Sequence, residues 1–253
     1  MNRSQILIFL VFLAFVAPLY AQKRRPVPFK KNNNLTAAPK NLRTAVVIDE
    51  RLAILRIEPS LYSDTIQRMR MGRIVSISGI KNIDGLTFYR VILPPRKYAW
   101  VQAEAVISKN LSRDHERLFQ LIQASDGFEK FERGAIYLQN FPDSRLRPAI
   151  LLLLGDLAEE AAGKLSRDAT RQLDKREMSA SGAPLQSFYL SHSSLDRYRK
   201  IGINFWFNPE TKQFHYDGSN WREIITKFPN AGEADEARKR LAVLEEKMQK
   251  RNE

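Results

Sequence analysis

The side chains that could do covalent or metal chemistry in this chain are few and scattered. Cysteine is absent, which removes thiol nucleophiles, disulfides and cysteine-linked lipid attachment. The three histidines, His115, His192 and His215, lie far apart in sequence. A metal site needs several imidazole, thiolate or carboxylate ligands at converging spacing, so the pattern points to no metal and no cofactor. Asp114 and His115 are adjacent, but neighbours on a helix diverge by about 100 degrees and form no dyad. No Gly-x-Ser-x-Gly turn presents a strained serine, and no glycine-rich loop is placed to cradle phosphate. Glu159-Glu160 and Glu245-Glu246 remain. Glycan cleavage needs two carboxyl groups about 5 to 10 Å apart across a cleft, whereas consecutive helical glutamates point apart and read as solvent-facing charges. A glycan hydrolase working through helical carboxylates is kept as the alternative to a chain that is not an enzyme.

What the sequence does supply is a set of side chains suited to recognition: Tyr62, Asp84, Phe88, Tyr89, Tyr98 and Trp100. Aromatic faces stack on sugar rings or peptide backbone, and a carboxylate fixes an amine. Tyr89 and Trp100 also suit a core, so a barrel that binds nothing and merely packs against its neighbours stands as a second alternative. Tyr62 and Asp84, in expected loops, are the better ligand candidates.

The elements that must position these residues are strands. Short runs of β-branched and aromatic residues, Ala53 to Ile57, Ile74 to Ser78, Thr87 to Leu93 and Trp100 to Ile107, are separated by Pro59, Gly72, Gly79, Gly85 and Pro94-Pro95. In Ile74 to Ser78, Val75 and Ile77 alternate with Ser76 and Ser78, so one face is buried and the other wet. The Arg56-x-x-Pro59-Ser60-x-x-Ser63 segment, the Met71-Gly72 step, the Gly85 turn before Phe88-Tyr89-Arg90-Val91 and the closing Trp100-Val101 together resemble the bacterial SH3 (SH3b) family. The chain departs from that pattern at Phe88, where the family usually has Trp, and at Ala99, where Gly usually precedes the closing Trp. The resemblance implies a small non-catalytic β-barrel over 45–108 that docks cell-wall or peptide ligands in exported bacterial proteins.

The first residues set the expected compartment. Arg3, an apolar run from Ile6 to Ala17 and a small residue at Ala21 give the three-part layout of a signal peptide over 1–21. About a dozen apolar residues span about 18 Å as helix, short of the roughly 30 Å hydrocarbon core; an uncleaved anchor is the competing reading. Export to the periplasm or envelope follows, not as a lipoprotein. Of the net charge of +13, Lys23, Arg24, Arg25, Lys30, Lys31, Lys40 and Arg43 fall in one acid-free stretch with Pro26, Pro28, Pro39 and Asn32 to Asn34. That composition reads as a disordered basic linker over 22–44. It either makes weak contact with an anionic membrane or wall polymer, or is a solvated spacer. Without interleaved rings at its cations the chain is not expected to bind nucleic acid.

From Leu111 the apolar period changes to three and four, the mark of amphipathic helices. Helices are expected over Pro148 to Ala162 and, separately, around Leu165, Ala169 and Leu173, with Ser179 to Pro184 as a loop. The phrase Tyr137-Leu138-Gln139-Asn140-Phe141-Pro142-Asp143-Ser144 is echoed by Ile224-Ile225-Thr226-Lys227-Phe228-Pro229-Asn230-Ala231. Each copy reads as a helix, a proline that stops it, a turn and a second helix, a joint similar to those of tetratricopeptide-like repeats. Alternation in 203–216 around Asn208-Pro209 reads as an inserted β-hairpin whose rings pack a core or, alternatively, hold a ligand. The expected whole is an α+β multidomain chain: an SH3-like barrel followed by an α-helical repeat-like region over 109–253 with an inserted hairpin. Its expected role is binding or scaffolding, with peptidoglycan or an envelope protein as partner.

Overall fold

The β-branched runs and their glycine and proline breaks fold into an antiparallel sheet. In this computed structural model, which describes residues 35–249 apart from 39, 41, 42, 96 and 193, the strands are β1 (Thr36–Ala37), β2 (Thr44–Val47), β3 (Ile54–Arg56), β4 (Thr65–Arg68), β5 (Ile74–Ile83), β6 (Leu86–Leu93), β7 (Lys97–Gln102) and β8 (Val106–Ile107). The expected signal segment and most of the expected linker lie outside the described residues. Strand order is β4-β3-β7-β6-β5-β2-β8, with β1 also paired to β5. The sheet is open rather than a closed barrel: β4 and β8 end the ladder. β8 is too short to continue it, and its two buried residues are spent on cores, Val106 within the sheet and Ile107 against the helices.

Thr36–Ala37 falls in the stretch that composition assigns to a linker, yet it pairs with Ile80 and Gly79 of β5. Strand addition uses backbone groups and needs no apolar periodicity, so composition gives no sign of it. The β5–β6 hairpin closes through Asp84 and Gly85 with φ of 54° and 77°, the left-handed pair that a two-residue turn demands.

The helices are α1 (Ser112–Ala124), α2 (Gly127–Asn140), α3 (Arg147–Gln172), α4 (Lys175–Ser181), α5 (Leu185–His192), α6 (Asp196–Arg199), α7 (Ser219–Lys227) and α8 (Ala234–Gln249). Between α6 and α7, β9 (Phe205–Asn208) and β10 (Gln213–Tyr216) pair antiparallel, Phe214 opposite Phe207 and His215 opposite Trp206. Two helices expected within 148–173 are one helix of 26 residues, α3; Gly163 stands between the two expected stretches but stays helical, and the buried face continues through Ala162, Ser166 and Ala169. The expected loop at Ser179 starts later, because α4 runs to Ser181 and stops at Gly182 with φ of 66°.

The two Phe-Pro joints repeat atom for atom in their backbone hydrogen bonds. Phe141 N donates to Tyr137 O and Phe228 N to Ile224 O; Ser144 N donates to Phe141 O and Ala231 N to Phe228 O; Arg147 N donates to Ser144 O and Ala234 N to Ala231 O. Each proline removes the donor that would continue its helix. The resulting helix pairs α2–α3 and α7–α8 pack together through α3 and α7. Gly155 of α3 makes that approach possible: a Cβ there would lie 2.9 Å from both Cδ1 and Cε2 of the buried Trp221 ring of α7.

Sheet and helices share a core. Val46, Ile48 and Ile107 pack with Leu118, Ile122, Phe131 and the helical residues beyond them. Into this junction α2 inserts Arg133, only 2% exposed. Its Nε donates to Ile48 O at 3.0 Å and its Nη1 to Ser125 Oγ. Its Nη2 pairs with Glu129 Oε1 at 2.6 Å and Asp49 Oδ2 at 3.5 Å. Both contacts are ionic, since Nη2 makes no hydrogen bond of acceptable angle. Asp49 is also held by Arg51, through N to Oδ1 at 2.9 Å and Nη2 to Oδ2 at 2.9 Å. Burial works to raise the Asp49 pKa, and the Arg51 hydrogen bonds with the Arg51 and Arg133 charges outweigh it, leaving the carboxyl below its usual range.

Two stability outcomes follow from these contacts. Replacing Arg133 with Met takes the donor from Ile48 O and Ser125 Oγ and leaves Asp49 with Arg51 alone, and should cost about 3 kcal/mol in urea unfolding; a loss under about 1 kcal/mol would show that the cluster is solvated. Gly155→Ala adds about 1 kcal/mol of helix propensity but overpacks Trp221 at a cost of about 1 to 3 kcal/mol. The melting midpoint by circular dichroism should therefore fall, whereas an unchanged midpoint means the indole moves aside.

Candidate functional site

Alternation along β6 and β7 sorts the candidate rings onto two faces. Tyr89, Val91, Ala99 and Val101 point into the sheet core. Arg90, Ile92, Tyr98 and Trp100 point the other way, where register sets Arg90 opposite Trp100 and Ile92 opposite Tyr98. Tyr98 is 48% exposed, Ile92 is exposed and Trp100 is half-buried. The Arg90 guanidinium carbon sits 3.8 Å from the Tyr98 ring centroid, a cation–π contact that ties the two side chains together. On the next strand Arg56 faces Trp100. Its Nη1 donates to Ser63 O at 2.9 Å, which ties the β3–β4 loop to this row.

That loop carries Tyr62, 96% exposed. It is pinned further by Ser63 Oγ, which accepts from Glu58 N at 2.9 Å, and by Ser60 Oγ, which accepts from Tyr62 N at 3.2 Å. The structure thus brings Tyr98 and Trp100 onto one face with Tyr62 on a loop anchored to it. The other three candidates go elsewhere. Phe88 shares the outward register yet is 1% exposed and presents no ring to a ligand. Tyr89 faces the core, and its hydroxyl is pushed above its ordinary pKa by burial first and then by the Asp114 charge. Asp84 is exposed at the β5–β6 turn, about 20 Å along the strands from the Ile92–Tyr98 pair. Sequence reasoning passed over Arg90, Ile92 and Arg56; strand alternation from Phe88 places Arg90 and Ile92 on its face, whereas Arg56 joins the row only through its cross-strand register with Trp100.

The carboxylates and imidazoles have mostly structural partners. Glu159 Oε1 lies 2.9 Å from His215 Nδ1 and accepts from Lys247 Nζ at 2.8 Å, while Oε2 accepts from Tyr216 N at 2.8 Å. Burial tends to raise the Glu159 pKa, but these bonds prevail and lower it from 4.5 to about 2. An acid so strong holds no proton to give a leaving group near neutral pH. It anchors β10 and α8 to α3. Glu160, Glu245 and Glu246 are exposed. Among the described residues no group of three His, Cys, Asp or Glu side chains could hold a metal ion, and no described helix is long and apolar enough to cross a membrane. In the hairpin, Phe214 and Tyr216 are buried, and Tyr189, Phe207 and Phe214 stack with centroids 5.0 to 6.5 Å apart. Core packing accounts for these rings, while Trp206 is exposed.

The two Phe-Pro joints meet in space. Pro142, Asp143, Arg147, Lys227 and Phe228 line a cleft of about 470 Å³ between them. Arg147, which stands where the second copy has buried Ala234, spans the copies: Nη1 donates to Leu138 O at 2.6 Å and Nη2 to Glu223 Oε1 at 2.7 Å. No family model matches the chain, and no curated protein or solved structure is significantly similar to it. The candidate site stands on its own geometry.

The Glu159 anchor has a pH signature. Because its folded pKa lies below the unfolded value, the stabilisation is present above pH 4.5 and is lost as pH falls toward 2. A shift of this size corresponds to about 3 kcal/mol. In urea titrations the parent should lose stability across that window more steeply than Glu159→Gln, which should be weaker near neutrality and flatter in acid. Parallel curves would show that the anchor contributes nothing.

Proposed function

We propose that this protein is an exported, non-catalytic binding protein of the bacterial envelope, in which the sheet acts as an SH3b-like module docking peptidoglycan or a peptide. The observation that carries this reading is the outward row of Arg90, Ile92, Tyr98 and Trp100 beside Tyr62. These residues pair across strands, and the parts of Tyr62, Tyr98 and Ile92 left in solvent give planar ligands a surface to stack on. The engagement of Glu159 by three partners favours binding over glycan hydrolysis. The paired Phe-Pro joints support a tetratricopeptide-like helical half that holds a protein partner in the cleft between its copies. Export rests on the arrangement of charge and apolar residues in 1–21, and the basic stretch 22–44 adds weak attraction to an anionic membrane.

Co-sedimentation with insoluble peptidoglycan tests the reading. The purified protein should pellet with it, and Tyr62→Ala combined with Tyr98→Ala should weaken retention by about tenfold, near 1.4 kcal/mol from two stacking rings. Failure to pellet, together with failure to co-purify any envelope protein, overturns the proposal. So does release of soluble wall fragments that Glu160→Gln abolishes.

A further inference from the structure

The five strands β3 to β7 contain no aspartate and no glutamate, yet carry Arg56, Arg68, Lys81, Arg90 and Lys97. An outward sheet face normally mixes both signs across its strand pairs, because opposite charges stabilise facing positions and like charges oppose each other. Here the cross-strand row runs Arg90, Trp100, Arg56, so an indole stands between two guanidinium groups with no acid among them. The two arginine Cα atoms lie two strand spacings apart, about 10 Å. The third ring of the face, Tyr98, already carries the Arg90 guanidinium at 3.8 Å. That stack holds the guanidinium of Arg90 at the outer face, and a planar guanidinium fork binds a carboxylate through paired hydrogen bonds.

From this arrangement we infer that the ligand of the outer face is a glycan chain bearing carboxylates, its rings resting on Trp100 and Tyr98 and its acidic groups on Arg90 and Arg56. The inference rests on the binding role proposed above and adds the charge of the ligand to it. Carboxylate charge complements strands that carry cations and no acid, and the sheet surface accepts sugar rings stacked across its strands, whereas a peptide strand would use the exposed edge of β4.

Titration calorimetry with three polymers of known chemistry tests it: polygalacturonate, the same polymer fully methyl-esterified, and polyglutamate. The basic stretch 22–44 attracts any polyanion, so each titration is repeated with Arg90→Gln and Arg90→Lys, which leave that stretch intact. Polygalacturonate should bind, esterification should weaken it by at least about tenfold, and binding should fall with salt. Arg90→Gln should lose about tenfold and Arg90→Lys less, with melting midpoints within a few degrees of the parent, since Gln removes one cation–π contact, that with Tyr98, at a partly exposed position. Equal affinity for the neutral ester overturns the charge assignment while leaving a glycan-binding face. Tighter binding of polyglutamate identifies an acidic peptide instead. Full retention of binding by Arg90→Gln assigns the attraction to the basic stretch and removes this site. If the protein pellets with peptidoglycan in a Tyr98-dependent way but ignores polygalacturonate, this inference alone fails; if it binds neither, the functional proposal fails with it.

Discussion

Arg133 holds the two halves of this structure in one body. A guanidinium taken out of water is costly unless it is paired and hydrogen-bonded, and here the partners come from both sides: Ile48 O and Asp49 from the sheet, Ser125 and Glu129 from the helices. The apolar contacts of Val46, Ile48 and Ile107 with Leu118 and Ile122 surround the charge. Apolar burial supplies affinity between the halves without direction, whereas the arginine fixes how they meet.

That docking determines which sheet surface is left for work. The inner face is filled by Val75, Ile77, Val91, Ala99 and Val101, with Leu111, just ahead of α1, packed against them. Its one candidate ring, Tyr89, is consumed there. The opposite face is not covered in the same way at Ile92 and Tyr98. On that side Phe88 is covered, Trp100 is half-buried, and Ile92 and Tyr98 remain in solvent.

The helical half shows a second division of labour. Glu159, His215 and Lys247 resemble a reactive cluster in residue type, but their geometry is that of a clamp: one carboxylate accepts from an imidazole, an ammonium and a backbone amide, and so fixes the hairpin and the last helix to α3. Trp221 against Gly155 does the same by shape, bringing the second Phe-Pro joint beside the first. The cleft between the joints results from these two contacts.

Strand and helix periods, the Asp84-Gly85 turn, the hairpin around Asn208-Pro209 and the doubled Phe-Pro joint were all legible in the sequence, because each is set by residues within a few positions of one another. One long helix reads as two in the sequence, because the apolar run to Ala162 gives way to the sparser Leu165, Ala169 and Leu173; in the fold the buried face continues through Ser166, whose Oγ accepts from Phe214 N. β1 was invisible because its partner supplies only backbone. Among the candidate ligands, alternation alone did not separate Phe88 from Trp100, since both share one register and differ only in what covers them. The sequence by itself determined the periods of the main strands and helices, their local turns, and the absence of cysteine. The tertiary structure alone decided that Glu159 is an anchor, that Arg90 lies on Tyr98, and which rings remain in water, because burial and cross-strand pairing depend on contacts outside the local stretch, from eight positions for Arg90 and Tyr98 to 56 for Glu159 and His215.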